Sequence, residues 1–295
     1  MSAAVDWSKL EKFSGARKYF NISVLWIFYY RYVIRLLYYT GVHPHFVLFL
    51  SVLCGAISVY FLWYGKLIAA AILLHFKDIF DACDGSLARL TGKTTRIGRF
   101  LDSLGDMAIL TAVIVVITIQ AYSSGGQGYY IALGIFTWLS LFIQCSYFNF
   151  YQLSYAVSLG TANLNSRLDE GKTESSEFEG HPVLRLLQFI YRLTYGWQDR
   201  LVYHIDRLSC SIVEIYPDFN RDKWYRDKFF LTLNSALCFG THIFVFMICF
   251  VFGNPTLALW IISIMFNIYF LAILPGRIIC FKIRLARDAS RDYMG

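Results

Sequence analysis

Charge is what this sequence has least of. Only 16% of its 295 residues are charged, against 57% hydrophobic and 18% aromatic. That shortage excludes an ordinary soluble domain, which needs a polar surface to face water, and makes a lipid bilayer the natural solvent. The seven cysteines form no CxxC pair and fall mostly in apolar runs. This leaves neither a disulfide framework nor a zinc site, and makes them small core residues. Residues 1–20 lack the apolar stretch and small-residue cleavage site of a secretory signal, so the segment is expected to stay on the chain. No internal repeat is present.

The long runs without charge are the positive signal. Residues 46–65 carry none, and at 1.5 Å per residue such a stretch crosses a hydrocarbon core of roughly 30 Å. Residues 67–90 begin equally apolar but turn acidic at Asp78, as a helix does when it leaves the bilayer or lines a polar cavity. Residues 107–166 are too long for one helix, and the turn signal at 123–128 splits them in two. Residues 229–276 split in the same way at Gly253, Asn254 and Pro255. The expected fold is an all-α integral membrane protein with six transmembrane helices.

Net charge is +7, and the basic residues sort by connection. They fill the N-terminal region, the second-to-third connection (Arg89, Lys93, Arg96, Arg99), the segment 167–228 and the C-terminal end, while the other connections hold almost none. By the positive-inside rule both termini and the second-to-third connection face the cytosol. Basic rims of this kind suit anionic lipid headgroups and nucleotide phosphates, and no nucleic-acid partner is expected. Lys9, Lys12, Arg17 and Lys18 interleave with Leu10 and Phe13, which predicts an amphipathic helix lying on the membrane surface. Residues 21–39 read as an interfacial or steeply tilted helix. A glycosylation sequon at Asn21 would face the wrong side to be used.

Five regions follow: 1–45 N-terminal and interfacial, 46–157 with the first four spans, 158–228 a cytosolic or interfacial insertion, 229–280 with the last two spans, and 281–295 a basic tail. The insertion opens with a polar stretch at 169–176 that reads as a mobile loop, and continues with apolar and aromatic residues suited to the headgroup zone.

The chemistry is concentrated at Asp81, Asp84, Gly85, Ala88, Arg89, Gly98, Asp102 and Asp106. Asp81 and Asp84 are three apart and Asp102 and Asp106 four apart, so on two helices each pair projects from one face. The short link between them makes those helices antiparallel neighbours and gathers four carboxylates at the cytosolic ends of the second and third spans. Unpaired, such a cluster costs several kcal/mol near a bilayer, so cations are required. Oxygen-only ligands favour Mg²⁺, Mn²⁺ or Ca²⁺ over zinc. Gly85 and Ala88 leave room for a ligand against the backbone, Arg89 can fork onto phosphate oxygens, and Gly98 keeps the third helix open one turn before Asp102.

These residues resemble the CDP-alcohol phosphotransferases, whose signature D-x2-D-G-x2-A-R-x8-G-x3-D-x3-D is matched here at every fixed position and spacing. The resemblance implies six transmembrane helices with an N-terminal surface helix, a homodimer, and a cytosol-facing site for two divalent ions, Mg²⁺ or Mn²⁺. It further implies that Asp81, Asp84 and Asp102 bind metal, that Asp106 binds metal or acts as base, and that the CDP portion of the donor lies against Asp81, Asp84, Gly85, Ala88, Arg89 and Gly98. The implied partners are a CDP-linked donor, an alcohol or lipid acceptor, and membrane lipids. The stretch from Thr95 to Leu104 looks more like members that use a CDP-linked lipid donor, which points to transfer of a phosphatidyl group from CDP-diacylglycerol to a polar alcohol.

Two other readings stand beside this one. In an aminoalcohol phosphotransferase a CDP-alcohol donates to diacylglycerol. A divalent-cation transporter would use the same ligands, but near the bilayer midplane and without an arginine beside them. Outside the signature, Asp78 reads as a helix-edge charge, Lys77 as a snorkelling side chain or a phosphate contact, and Arg277 as a membrane anchor or an anion contact. His75 and His242 read as hydrogen-bonded interior residues.

Overall fold

A computed structural model of the chain describes residues 7, 13, 17–125, 128–160, 182–216 and 219–292, with 286–292 as backbone. Among the described residues the secondary structure is entirely helical. The surface helix expected within 1–20 and the loop expected at 169–176 fall largely or wholly outside them.

Residues 21–39 form two pieces, a 3-10 turn at Ile22–Leu25 and α1 at Tyr30–Tyr39. The break between them falls at Trp26, whose indole N–H donates to Asp78 at 3.1 Å, so a tertiary bond interrupts the expected single helix. Next come α2 (Pro44–Trp63), α3 (Leu67–Thr91), α4 (Arg96–Ser123) and α5 (Tyr129–Ser158). Pro44 starts α2 where a missing N–H costs nothing. Then follow α6 (Pro182–Val213), α7 (Arg221–Tyr225), α8 (Lys228–Asn234), α9 (Phe239–Val251), α10 (Pro255–Trp260), a π-helical segment at Ile261–Phe266, and α11 (Asn267–Asp292). The last helix runs on beyond residue 280 into the basic tail. Beyond Gly276 the chain meets no glycine or proline before Asp292, and Leu, Arg and Ala carry the helix on.

Among the described residues, four helical stretches are long and apolar enough to cross a membrane: Pro44–Trp63, Arg96–Ser123, Tyr129–Ser158 and Pro255–Leu285. Lys228–Leu237 with Phe239–Val251 makes a fifth if the pair counts as one span. α3 has the length, 25 residues, but Lys77, Asp78, Asp81, Asp84 and Arg89 make it too polar to qualify on composition.

The chain divides into two compact units. In the first, built around Ile22–Leu139 with Phe239–Ser263, α2 packs on both α3 and α4. Its contact face carries Ser51, Gly55 and Ser58, a small-residue stripe of the kind that lets membrane helices approach closely. The Ser51 hydroxyl donates to the Lys77 carbonyl at 3.1 Å and the Ser58 hydroxyl to the Ala70 carbonyl at 2.7 Å. Where α2 meets α4, a Cβ on Gly55 would lie 2.8 Å from Ile109 and one on Gly105 2.9 Å from Val52. α9 also packs on α3.

The second unit, Ser140–Cys238 with Ile264–Gly295, is held by buried polar networks. Asp206 on α6 accepts from the Tyr151 hydroxyl at 2.7 Å, the Trp224 indole at 3.0 Å and the Tyr225 hydroxyl at 2.7 Å. Arg277 is fully buried, donates to Asp227 at 3.0 Å, and lies between the rings of Trp224 and Phe230 at 4.1 and 4.3 Å. The expected membrane-anchor or anion-contact role for Arg277 thus gives way to an internal ion pair. α6 turns Leu184, Tyr191, Tyr195, Val202 and Asp206 inward, while Val183, Leu186, Leu193, Leu208 and Ile212 are exposed with Arg185, Arg192, Arg200 and Arg207 flanking them.

Three substitutions test this packing. Gly55→Val should cost about 1–3 kcal/mol through overpacking against Ile109, whereas Gly276→Ala, where a Cβ meets open space in a helix, should gain roughly 0.5–1 kcal/mol. Arg277→Met leaves Asp227 buried without its partner and should cost about 3–5 kcal/mol. Unfolding of the full chain in detergent micelles reads all three.

Candidate active site

The turn between α3 and α4 sets the depth of every acidic side chain. α3 ends at Gly92, whose φ of +67° suits a residue without Cβ; the Lys93 N–H donates to the Ala88 carbonyl at 2.9 Å and the Gly92 N–H to the Arg89 carbonyl at 3.4 Å. The N-cap of α4 comes three residues later, where the Thr95 hydroxyl accepts from the Gly98 N–H at 3.0 Å. Asp81 stands ten residues before the last residue of α3 and Asp106 ten after the first of α4. At the helical rise both lie about 15 Å from the turn, and Asp84 and Asp102 lie at about 10 Å. A tight link between antiparallel helices therefore puts like depths side by side.

The structure brings carboxylate oxygens of Asp81, Asp102 and Asp106 within 4.8 Å of one another. Asp84 lies outside that mutually close set, one turn further along α3. The centre is largely closed to solvent: Asp84 and Asp106 are buried, and Asp81 and Asp102 are half-buried. Asp84 Oδ2 and Asp102 Oδ1 are buried oxygens without a hydrogen-bond partner. An all-oxygen donor set, close enough to share one ion and with acceptor valences left over, fits a hard divalent cation.

Beside the carboxylates, Arg89 is half-buried and its Nη2 donates to the Ser86 hydroxyl at 2.9 Å. A Cβ on Gly85 would meet only the Arg89 guanidinium, at 3.5 Å, so the helix backbone is open there as the spacing suggests. Ala88, half-buried, keeps the next turn of α3 small. Gly98 is different. A Cβ there would come 3.0 Å from Thr95 Oγ1 and 3.2 Å from His45 Nε2, and those two groups hydrogen-bond each other at 2.9 Å. The glycine accommodates a helix cap and a histidine from α2 instead of leaving an open face.

Two residues of α3 behave unlike the sequence expectation. Asp78 is a buried acceptor for the Trp26 indole, with Gly240 of α9 packed against it, and not a charge at a helix edge. Lys77 does not snorkel: its side chain is 1% exposed, and its ammonium is bonded to Asp81 at 3.1 Å and to Asp106. The i,i+4 spacing from Lys77 to Asp81 carried that signal. The contact to Asp106 across the helix pair did not show in one dimension. His75 meets the Tyr29 hydroxyl as an interior histidine should, and burial beside Asp78 holds that phenol above its usual range.

Two largely apolar helices that bring three carboxylates together, with an arginine and an open glycine on the first of them, define a helical membrane protein with a candidate cation site. The chain matches the model of the CDP-alcohol phosphatidyltransferase family over residues 41–191, more than half its length, and belongs to that family. It is 35% identical over 77 residues to the archaetidylinositol phosphate synthase of Pyrococcus horikoshii, a stretch that covers 25% of this chain and 41% of the relative. The chain thus spans less than half the length of that curated relative. No solved structure matches it.

Proposed function

We propose that this protein is a phospholipid-synthesising enzyme that moves a phosphatidyl group from CDP-diacylglycerol to a polar alcohol and releases CMP. The observation that carries the reading is the close approach of Asp81, Asp102 and Asp106 on the two helices of an intact family signature. The similarity to an archaetidylinositol phosphate synthase supports a lipid product.

In this reading Asp81, Asp84, Asp102 and Asp106 hold two divalent ions, Mg²⁺ or Mn²⁺, which when bound neutralise pyrophosphate charge. Arg89 adds a guanidinium fork to the phosphates, and the open faces of Gly85 and Ala88 let the CDP portion approach the α3 backbone, with Gly98 holding the start of α4 close by. Asp106 takes the proton from the acceptor hydroxyl. The acceptor oxygen bonds to the phosphorus distal to cytidine as that phosphorus loses its oxygen bridge to CMP.

The membrane arrangement belongs to the same proposal. α3, whose charges are held in internal contacts and at the site, and the α8–α9 pair bring the spans to six, and a surface helix lies in 1–45. Spans one to four occupy 46–157, the last two 229–280, and 281–295 is a basic tail. Both termini and the site face the cytosol, and the protein is a homodimer. The insertion 158–228 lies in the headgroup zone: the exposed apolar stripe of α6, edged by arginines, is suited to lipid on one side and anionic headgroups on the other.

Purified full-length protein given CDP-diacylglycerol and a panel of alcohols should release CMP and form a phosphatidyl lipid, while CDP-choline with diacylglycerol should not react. Asp106→Asn should reduce turnover by at least ~10²-fold, the scale of a lost general base, with CDP-diacylglycerol binding largely retained. Unchanged turnover in that variant would remove Asp106 from its role.

A further inference from the structure

The acidic centre contains a cation of its own. Lys77 Nζ lies 3.1 Å from Asp81 Oδ1 on the same helix and is also bonded to Asp106 on the facing one, with its side chain only 1% exposed. Asp81 and Asp106 are two of the three residues whose oxygens gather within 4.8 Å, so the ammonium is seated on two of the carboxylates that form the cluster. It satisfies one part of the cluster only. Asp102 Oδ1 and Asp84 Oδ2, both buried, have no hydrogen-bond partner. A lysine serving as a membrane anchor would run its stem toward the helix end. This one stands fourteen residues before the end of α3 and points into the helix pair.

We propose that Lys77 is a built-in counter-cation of the carboxylate centre, which a divalent ion must displace to bind. This rests on the reading of the cluster as a metal site. With no ion present, the ammonium bridges α3 to α4 and offsets repulsion between Asp81 and Asp106, so the acidic helices stay together. An ion taking those same oxygens meets a like charge at contact distance, in a buried place where salt screens little. A lysine suits the exchange because its compact charge sits on a flexible four-carbon stem. Lys77 thereby sets the affinity of the centre for divalent ions as well as its stability without them.

Mn²⁺ alone is the probe, with free ion measured by electron paramagnetic resonance and melting of the full-length protein followed in chelator and in saturating Mn²⁺. Lys77→Met and Lys77→Gln should each bind Mn²⁺ at least tenfold tighter than the wild type. Each should also melt lower in chelator and gain more from Mn²⁺. Unchanged or weaker Mn²⁺ binding in both variants overturns the proposal. So does failure of both to fold even when Mn²⁺ is present throughout purification, because bound ions should replace the lost ammonium. If the wild type binds no Mn²⁺ and Asp102→Asn changes nothing, it is the metal reading of the cluster that falls.

Discussion

Everything about the candidate site depends on mutual repulsion being held in check between α3 and α4. Carboxylates on facing helices in a water-poor setting push the helices apart unless positive charge or hydrogen-bond donors are supplied. The fold answers partly with geometry. The link from Gly92 to Thr95 is too short to let the helices drift, and its two caps satisfy the backbone groups that a helix end leaves open. With the ends pinned, the depth of each acid follows from counting residues along a regular helix.

The rest of the first unit reinforces that pinning from behind. Ser51 and Ser58 of α2 hydrogen-bond the carbonyls of Lys77 and Ala70 on α3, while Gly55 admits Ile109 of α4 to near-backbone contact. α2 thus touches both helices of the acidic pair without contributing a charge. Its small residues matter because helices in lipid gain little from burying apolar surface against one another and must rely on close packing and hydrogen bonds. Asp78 extends the same logic to α9 and the segment before α1, through Gly240 and Trp26.

The helices were largely legible in the sequence because uncharged runs bounded by glycine and proline have one physical reading in a bilayer. The signature was legible too, since i,i+3 and i,i+4 spacings translate directly into faces. What escaped was set by contacts between distant residues. The Trp26 indole takes a buried acid at position 78, which splits the helix expected over 21–39, and neither residue signals the other. For the continuation of α11 to Asp292 the sequence offers no such pattern, because loss of hydrophobicity after residue 281 marks where a span can end, not where helical hydrogen bonding ends. Gly98 shows the limit of motif reasoning, since a glycine at a ligand-facing spacing here makes room for Thr95 and His45.

Comparison of the two units sets a buried acid that the fold itself satisfies beside acids with acceptor capacity left over. Asp206 in the second unit accepts from three neutral donors, Tyr151, Trp224 and Tyr225, each at 3.0 Å or less. Burial of that carboxylate is compensated by hydrogen bonds supplied by the fold itself, which is how a structural acid is kept. Asp227 is likewise occupied, capping α8 through the Phe230 N–H at 3.0 Å and pairing with Arg277. Asp84 is buried and Asp102 half-buried, and each retains a buried oxygen that nothing donates to. These open acceptor oxygens stand where the acids of the signature converge, an arrangement that fits a cationic ligand.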